Sequence, residues 1–276
     1  MTGLPGEPMG PIGPTSAEVS GAPCWVNLMT HDIDAAERFY GAVLGWSFRP
    51  TRLGPAFRVA EGEGVPVAGI GAQAGTFSVA VAWTPYFAVA DADAAVSRIR
   101  ERTGTVAVGP VRFEGAGRGV LAADPQGAVF GLWEGRVFAD WLTAPRAAPA
   151  WVELRTRDAF AAAVFYGEVL LWATGESGCC DVSYERDRIV LRHDGRVVAR
   201  LDGGPAQEAS AEPVRRPHWH VHFRVAELDA SVAAAAAHGG DTVAVDPSPG
   251  PEGRFATLRD PEGALFDVWE PPATPP

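Results

Sequence analysis

The amino-acid sequence predicts an α+β protein of two tandem domains, each made of two β-α-β-β-β units, and three observations support that prediction. The chain has 276 residues, enough for about two domains at ~150 residues each, and 47% of them are hydrophobic, enough for two cores. Two blocks of sequence recur later in the chain at constant offsets. Each repeat contains a strand-like segment, a helix-like segment and further strand-like segments in the same order.

The repeat is read directly from two alignments. Pro23–Trp46 matches Pro149–Trp172 at 14 of 24 positions with a constant offset of 126. Asp124–Glu134 matches Asp260–Glu270 at 7 of 11 positions with an offset of 136, so the second copy holds ten more residues between the two blocks. Because such constant offsets rarely arise by chance, they indicate a tandem duplication with its junction near residues 135–148.

The first unit begins with Trp25–Met29, whose side chains alternate as in a strand, and continues with Asp32–Leu44, whose apolar residues follow helical spacing. Asp32 or Thr30 is placed to cap that helix by accepting hydrogen bonds from its first free N–H groups. Gly and Pro residues separate the three strands predicted next, which are Ser47–Arg49, Ala56–Ala60 and Val65–Ile70.

The same order of elements recurs three more times. The second unit starts with a strand at Trp83 and a helix at Ala92–Arg102. The second copy has the strands Trp151–Arg155 and His218–Val225 and the helices Phe160–Leu170 and Leu228–His238. The predicted organisation is a flexible Pro/Gly-rich segment at 1–21, a first domain at 22–135, a linker at 136–148, a second domain at 149–271 and a Pro-rich tail at 272–276.

The charge of the chain argues against two classes of partner. The formal net charge is −11, from 23 basic residues, all Arg, and 34 acidic residues. Nucleic acids and anionic membrane surfaces both require a basic footprint, so neither is an expected partner. The sequence has no apolar stretch of about 18 residues and no pattern of a secretory signal. Cys24, Cys179 and Cys180 form no disulfide framework, and a cytoplasmic location is expected.

The stretch His218–Arg224 is the most unusual in the chain. Alternate residues of a strand share a face, so His218, His220, His222 and Arg224 are expected on one side. The intervening aromatic and aliphatic residues are then expected to pack under a helix. The inner sheet face of the second domain is therefore expected to be rich in titratable groups, whereas the matching face of the first domain has few of them.

The order of elements and two motifs resemble the vicinal oxygen chelate superfamily, the group of glyoxalase I, bleomycin-resistance proteins and extradiol dioxygenases. The motifs are D-x-x-x-A-x-x-F-Y-G after a first strand and D-P-x-G-A-x-F-x-x-W-E at a last strand. More narrowly, the chain resembles two-domain actinobacterial glyoxalase-like proteins over residues 22–271. The resemblance implies that paired units form one open-barrel cavity per domain. It does not fix the function, because this scaffold carries both enzymes and binding proteins.

The resemblance also implies where a metal would bind, on the first and last strands of each unit. In the first domain those positions fall on Trp25, Thr84 and Gly131, none of which is a metal ligand. In the second they fall on Trp151, His220, Asp267 and a position near Ala199 or Arg200. An open metal site usually needs three protein ligands. We expect no metal, and His220 and Asp267 are the ligands if a divalent ion does bind; no nucleotide motif indicates a flavin or nicotinamide cofactor.

Two functions remain open. In the first, His220 acts as general acid or base, Asp267 orients it, and Arg224 or Arg155 stabilises negative charge on an oxygenated aromatic or polyketide-like compound. Isomerase, cyclase and lyase chemistry all fit. In the second, the chain only binds and sequesters such a compound between tryptophans. A metal-dependent lyase or dioxygenase using His220 and Asp267 is a further alternative. The predicted ligand-binding residues are Trp151, Glu153, Arg155, His222 and Trp269 in the second domain and Trp25 and Tyr86 in the first.

The same residues have structural interpretations. Glu153 and Arg155 can form a salt bridge with each other, and tryptophans are more often core residues than stacking platforms. The chain is expected to be a monomer or a loose homodimer, because the presence of two units in each domain removes the need to dimerise.

Overall fold

The computed structural model describes residues 13–51, 54–72, 74–77, 80–113, 115–138, 151–172, 180–185, 188–203, 216–245 and 253–272. Residues 1–12 of the predicted N-terminal segment, most of the predicted linker and residues 273–276 of the tail lie outside the described residues, as does Cys179. None of the described helices is both long and apolar enough to cross a membrane.

The first half of the chain contains two β-α-β-β-β units joined by a one-turn helix. The first unit consists of β1 (Pro23–Met29), α1 (Ile33–Leu44), β2 (Ser47–Thr51), β3 (Gly54–Gly62) and β4 (Val65–Gly71). The short helix α2 (Ala74–Phe77) follows. The second unit consists of β5 (Ala82–Ala88), α3 (Ala92–Glu101), β6 (Thr105–Phe113), β7 (Gly117–Ala123) and β8 (Val129–Gly135).

The second half repeats this plan. Its first unit consists of β9 (Trp151–Arg155), α4 (Ala159–Val169), β10 (Asp181–Glu185), β11 (Arg188–His193) and β12 (Arg196–Asp202). Its second unit consists of β13 (His218–Arg224), α5 (Leu228–Ala237), β14 (Asp241–Val245), β15 (Arg254–Arg259) and β16 (Leu265–Glu270).

Each half forms one eight-stranded mixed sheet in which the two units meet through their first strands. The strand orders are β2-β3-β4-β1-β5-β8-β7-β6 and β10-β11-β12-β9-β13-β16-β15-β14. At the centre, β1 and β5 are antiparallel, as are β9 and β13, and each of these four strands has the last strand of its own unit as a parallel neighbour. The predicted α+β fold of four β-α-β-β-β units is confirmed, with two open sheets rather than closed barrels.

One continuous hydrophobic core joins the two domains. Helix α1 packs on α5, and α3 packs on α4. Aromatic rings from the two sheets meet directly: Phe87 and Trp219 have ring centroids 5.2 Å apart, and Trp83 and Phe223 have theirs 5.0 Å apart. Since each fully buried large side chain contributes roughly 1.5–3 kcal/mol, this shared core stabilises both domains together.

The two repeated motifs tie the domains to each other. The hydroxyl of Tyr40, from the first copy of F-Y-G, donates to Asp260 Oδ2 of the second domain at 2.9 Å. In the mirrored contact, the Tyr166 hydroxyl donates to Asp124 Oδ2 at 3.2 Å. Each tyrosine oxygen also accepts an indole N–H, from Trp83 at 3.0 Å or from Trp219 at 3.1 Å. The motifs that identify the duplication therefore have a structural role, because their tyrosine and aspartate residues join the two domains.

Carboxylates at fixed motif positions cap the helices. Asp32 caps α1, because its Oδ1 accepts from the N–H groups of Asp34 and Ala35 at 3.0 Å each. The Thr30 hydroxyl instead donates to Glu262. The glutamate that ends each W-E motif accepts from the first N–H of the helix in its own unit, Glu134 from Ala92 of α3 and Glu270 from Leu228 of α5, both at 2.8 Å.

The described part of the predicted N-terminal segment lies against the first domain. Residues 13–21 pack on the first domain, where the Ser16 hydroxyl donates to the Val89 carbonyl at 2.7 Å and Val19 is buried. The N–H of Gly21 donates to the Ala88 carbonyl at 2.8 Å, and the Trp172 indole donates to the Gly21 carbonyl at 2.9 Å.

The cysteines differ in state. Cys24 is buried with a free thiol, and burial raises the pKa of that thiol above its ordinary range. Cys180 is disulfide-bonded.

Candidate functional site

The histidine strand β13 alternates as predicted. Trp219, Val221 and Phe223 are buried in the core shared by the domains. His218, His220 and His222 therefore point to the opposite face of the second sheet, called here the inner face. His220 and His222 are also buried, whereas His218 is partly exposed.

The strand register brings two carboxylates beside these histidines. β13 lies between β9 and β16. His220 is opposite Glu153 on β9, and His222 is opposite Asp267 on β16. Because paired residues point to the same face, the predicted residues Glu153, His220, His222 and Asp267 converge on the inner face.

Asp267 is the centre of the cluster. Its Oδ2 accepts from Arg155 Nη2 at 3.0 Å and from His220 Nδ1 at 3.2 Å, and its Oδ1 accepts from the Thr257 hydroxyl at 2.5 Å. Burial alone would raise the pKa of this carboxyl group. Electrostatic interaction with His222 and His220, the hydrogen bond from His220 and the Arg155 guanidinium outweigh burial and hold the pKa of Asp267 well below its ordinary value.

Arg155 links the two carboxylates. Its Nε donates to Glu153 Oε1 at 3.2 Å while its Nη2 donates to Asp267. Burial lowers the pKa of the guanidinium, but Asp267 and Glu153 outweigh burial and raise that pKa above its ordinary value. The structural interpretation of Glu153 and Arg155 as a salt bridge is therefore confirmed, and the bridge extends to Asp267.

His218 continues the chain of contacts from His220 toward the surface. The Nε2 atoms of His218 and His220 are 2.7 Å apart. His218 Nδ1 is 2.8 Å from the carbonyl oxygen of Arg216, to which it donates. Burial, together with the neighbouring His220, lowers the pKa of His218 and favours its neutral form. The resulting order of contacts is Asp267, His220, His218 and the Arg216 carbonyl.

Trp151 is covered on its faces by protein groups. Its ring stacks on the His222 ring with centroids 4.4 Å apart and an interplanar angle of 21°. The Arg200 guanidinium lies 4.6 Å from the Trp151 centroid, and Phe255 and Trp269 meet its edges. This packing favours the core interpretation of Trp151 over a platform for a ligand. Among the described residues, Trp151 Nε1 and both ring nitrogens of His222 have no hydrogen-bond partner.

Arg224 lies farther along β13, four residues from His220. It is opposite Trp269 and lines a cleft of about 720 Å³ that also includes Trp46 and Glu270, near the junction of the two domains. The guanidinium in direct contact with Asp267 is that of Arg155. A catalytic role of Arg224 stays a prediction.

The inner face of the first domain is packed with its own side chains. Trp25 contacts Phe138 with ring centroids 5.1 Å apart, and burial raises the pKa of Tyr86 to about 12. A Cβ atom added at Gly131 would lie 2.2 Å from the Tyr86 ring, and one at Gly69 would lie 2.3 Å from Asn27 Oδ1. Glycines here make room for neighbouring protein side chains, which leaves little space for a ligand against Tyr86.

The donor atoms do not fit a resident metal ion of the kind that the resemblance implies. Within the described ranges, no group of three or more His, Cys, Asp or Glu residues is arranged to hold one. Both oxygens of Asp267 already accept hydrogen bonds, and an approaching cation would meet the Arg155 guanidinium 3.0 Å from Oδ2. In the first domain Trp25, Thr84 and Gly131 offer no suitable side chain.

Sequence reasoning missed three participants. Thr257 binds Asp267 across the β15–β16 hairpin, in which the two residues are opposite each other. Counting outward from the Asp260–Ala264 turn would have found this pair. His218 was placed on the correct face but not in the site, because its contact with His220 depends on side-chain rotamers. Arg200, opposite Glu153 on β12, was dismissed because it is not a metal ligand.

Comparison with protein families and with relatives agrees with this architecture. A family model described as a glyoxalase-like domain matches residues 151–269, and one described as bleomycin resistance protein-like N-terminal matches residues 24–56. The Mycobacterium tuberculosis protein "Putative glyoxylase CFP32" is 34% identical over 91% of this chain and 95% of its own length. The "Anthracycline biosynthesis protein DnrV" of Streptomyces peucetius is 32% identical over 91% of this chain and 93% of its own length.

Solved structures share the fold. The Mn(II)-bound glyoxalase from Novosphingobium aromaticivorans matches with a TM-score of 0.57 at 16% identity, over 91% of this chain and 82% of its own. An extradiol ring-cleaving dioxygenase from B. fuscum matches with a TM-score of 0.58 at 16% identity, over 94% of this chain and 73% of its own. The chain therefore has the fold of these glyoxalase and dioxygenase structures. The relatives and the family model above show that the chain belongs to the glyoxalase-like family.

Proposed function

We propose that this chain is an enzyme that performs acid–base chemistry on an oxygenated aromatic or polyketide-like small molecule at the inner face of its second domain. The observation that supports the proposal is the position of His220, held between the Asp267 carboxylate and the His218 ring. A histidine whose one nitrogen is oriented by a carboxylate is the usual arrangement of a catalytic acid or base.

The hydrogen-bond partners of His218 and His220 support an assignment of the protons on their ring nitrogens. His218 Nδ1 donates to the Arg216 carbonyl, so in neutral His218 the Nε2 atom carries no proton and must accept. His220 Nε2 is then the donor between the two rings, while His220 Nδ1 donates to Asp267. His220 therefore carries both protons as an imidazolium, and Asp267 balances its charge.

This arrangement supplies a general acid and its conjugate base. His220 Nε2 gives its proton to a substrate oxygen or carbon and later recovers one, while Asp267 stays ionised and keeps Nδ1 protonated. For the substrate to meet Nε2, the partly exposed His218 ring has to turn aside. The Arg155 guanidinium beside the site, or Arg224 farther along β13, would stabilise an enolate or carboxylate that forms during the reaction.

The relatives support the substrate class. Two Streptomyces relatives, DnrV and DauV, are named as anthracycline biosynthesis proteins, and the match covers more than nine-tenths of their length at 32% identity. Aromatic polyketides carry the enolisable carbonyls and phenols on which proton transfer causes isomerisation, cyclisation or elimination. The reaction proposed for this chain is of that type and needs no redox cofactor.

The test is turnover of a panel of hydroxyanthraquinones and anthrones, followed by absorbance and mass spectrometry. We expect His220→Gln to lower kcat by about 10²–10⁴-fold, the usual contribution of a general acid or base. His238→Gln is the matched control, because His238 is an exposed histidine at the end of α5. Binding of panel compounds without chemical change, at an affinity that His220→Gln leaves unaltered, would instead support the sequestration function.

The geometry favours the enzyme over its alternatives. Sequestration between tryptophans requires an open aromatic face, but His222 and Arg200 cover Trp151, and a phenylalanine covers part of Trp25. Metal-dependent lyase or dioxygenase chemistry requires free lone pairs on Asp267, which Arg155 and His220 occupy.

A further inference from the structure

Pairs of donor atoms in the second domain lie at the separations found between metal ligands, although with Arg155 bound to two of the carboxylates no three of the described side chains are arranged to hold an ion. His220 Nδ1 and His222 Nε2 lie 3.2 Å and 3.3 Å from Asp267 Oδ2, and His222 Nε2 lies 3.6 Å from Glu153 Oε2. Ligands about 2.0–2.2 Å from a common ion are separated from each other by roughly 3.0–3.5 Å. Two imidazoles and two carboxylates are also a donor set that Zn²⁺, Mn²⁺ and Fe²⁺ accept.

Arg155 supplies the positive charge that this donor set needs. Its guanidinium binds Asp267 at 3.0 Å and Glu153 at 3.2 Å, so one cation holds both carboxylates. The side chains of Asp267 and Glu153 are 3% and 9% exposed, and buried carboxylates need such a partner. A histidine that ligates a metal ion is neutral, so without Arg155 and with an ion bound the four groups would carry a charge of −2, which a divalent ion would balance.

We propose that the Arg155 guanidinium is the built-in cation of this site, standing in for a divalent metal ion and excluding one. The inference deepens the proposed function, on which it rests for the choice of site, by naming the residue that makes the site metal-free. It predicts that removing one guanidinium converts the wild-type site into a site for a divalent cation.

The experiment is Mn²⁺ uptake by the full chain, measured by the loss of the free-ion electron paramagnetic resonance signal and by elemental analysis. We expect wild type to take up no stoichiometric Mn²⁺ and Arg155→Met to take up one equivalent. The double variant Arg155→Met/Asp267→Asn should lose that uptake, which would place the ion at this cluster. Arg155→Lys, which keeps the positive charge, should behave as wild type.

A second arginine provides the matched control. Arg254 also bridges two carboxylates, with contacts of 2.7 Å to Asp229 and 3.5 Å to Glu270, but it lies at the surface without histidines. Arg254→Met should therefore take up no ion. Uptake by Arg254→Met equal to that of Arg155→Met would show non-specific binding and overturn the proposal.

Two other results would overturn it. One is uptake of one equivalent of Mn²⁺ by wild type that disappears in Asp267→Asn, and the other is a folded Arg155→Met variant that takes up none. If Arg155→Met is unfolded without metal, recovery of its circular dichroism on refolding with Mn²⁺ supports the proposal, and failure to recover counts against it. Metal uptake is read without turnover, so its failure is distinguishable from failure of the acid–base function, which product formation decides.

Discussion

At the scale of single residues, the site depends on which donor reaches Asp267. The sequence predicted His220 and Asp267 together, because alternation on a strand and the resemblance both placed them on one face. It could not predict that Arg155 reaches across β13 to Asp267 while also holding Glu153, since that contact depends on the register of three strands and on the rotamer of a long side chain. Arg155 was therefore predicted as a ligand-binding residue, whereas the structure shows it bound to two protein carboxylates.

The pKa of Asp267 makes stability depend on acid pH. Its folded-state pKa lies well below the ordinary value of 3.8, so the unfolded chain binds this proton first as the pH falls. The stabilisation is complete above about pH 5 and is lost progressively as the pH falls below about 4. Urea unfolding of wild type between pH 7 and pH 3 should show this loss.

The variant Asp267→Asn tests whether protonation of Asp267 causes the loss of stability at acid pH. The variant should be less stable than wild type by about 3–5 kcal/mol at pH 7, because Arg155 loses a buried partner. It should also lose less stability on acidification. If the two proteins lose stability in parallel below pH 4, other carboxyl groups cause the acid sensitivity.

At the scale of elements, local sequence patterns predicted the first strand and the helix of each of the four units. The strand β9 and the start of α1 fall where alternation and the cap residue Asp32 place them, because both signals act within a few residues. The choice between Asp32 and Thr30 as cap was left open by the sequence. The Thr30 oxygen accepts from the N–H of Asp32, ahead of the helix, and its hydroxyl donates to Glu262, a residue 232 positions away in the chain that no local pattern contains.

The cap assignment gives a prediction for α1. Asp32→Ala should lower the free energy of unfolding by about 1 kcal/mol, because it leaves the N–H groups of Asp34 and Ala35 without their acceptor. Chemical denaturation followed by circular dichroism measures the change. Asp241→Ala, at an exposed strand start, is the control and should stay within about 0.5 kcal/mol of wild type. Equal effects of the two substitutions would contradict the capping role.

At the scale of the whole molecule, the duplication predicted two similar domains but not how they join. The F-Y-G and D-P-x-G-A motifs were visible as repeats, yet their partnership became clear only in the structure, where each tyrosine binds the aspartate of the other domain. Internal similarity shows that both copies keep the same residues, and it does not show whether those residues act within a copy or between copies. The oligomeric state, a monomer or a loose homodimer, stays a prediction.

The shared core and the crossed tyrosine contacts predict that the two domains unfold as one unit. Thermal and urea unfolding followed by tryptophan fluorescence and by far-ultraviolet circular dichroism should give coincident single transitions, because the domain interface contains the buried rings Phe87, Trp83, Trp219 and Phe223.

The crossed tyrosine contacts are tested by single substitutions. Tyr40→Phe removes the donor to buried Asp260 and the acceptor of Trp83, and should lower the free energy of unfolding by about 1–3 kcal/mol. Tyr166→Phe removes the mirrored contacts and should cost a similar amount. Two separate transitions in wild type, or a Tyr40→Phe variant that destabilises only one of two transitions, would show that the domains fold independently.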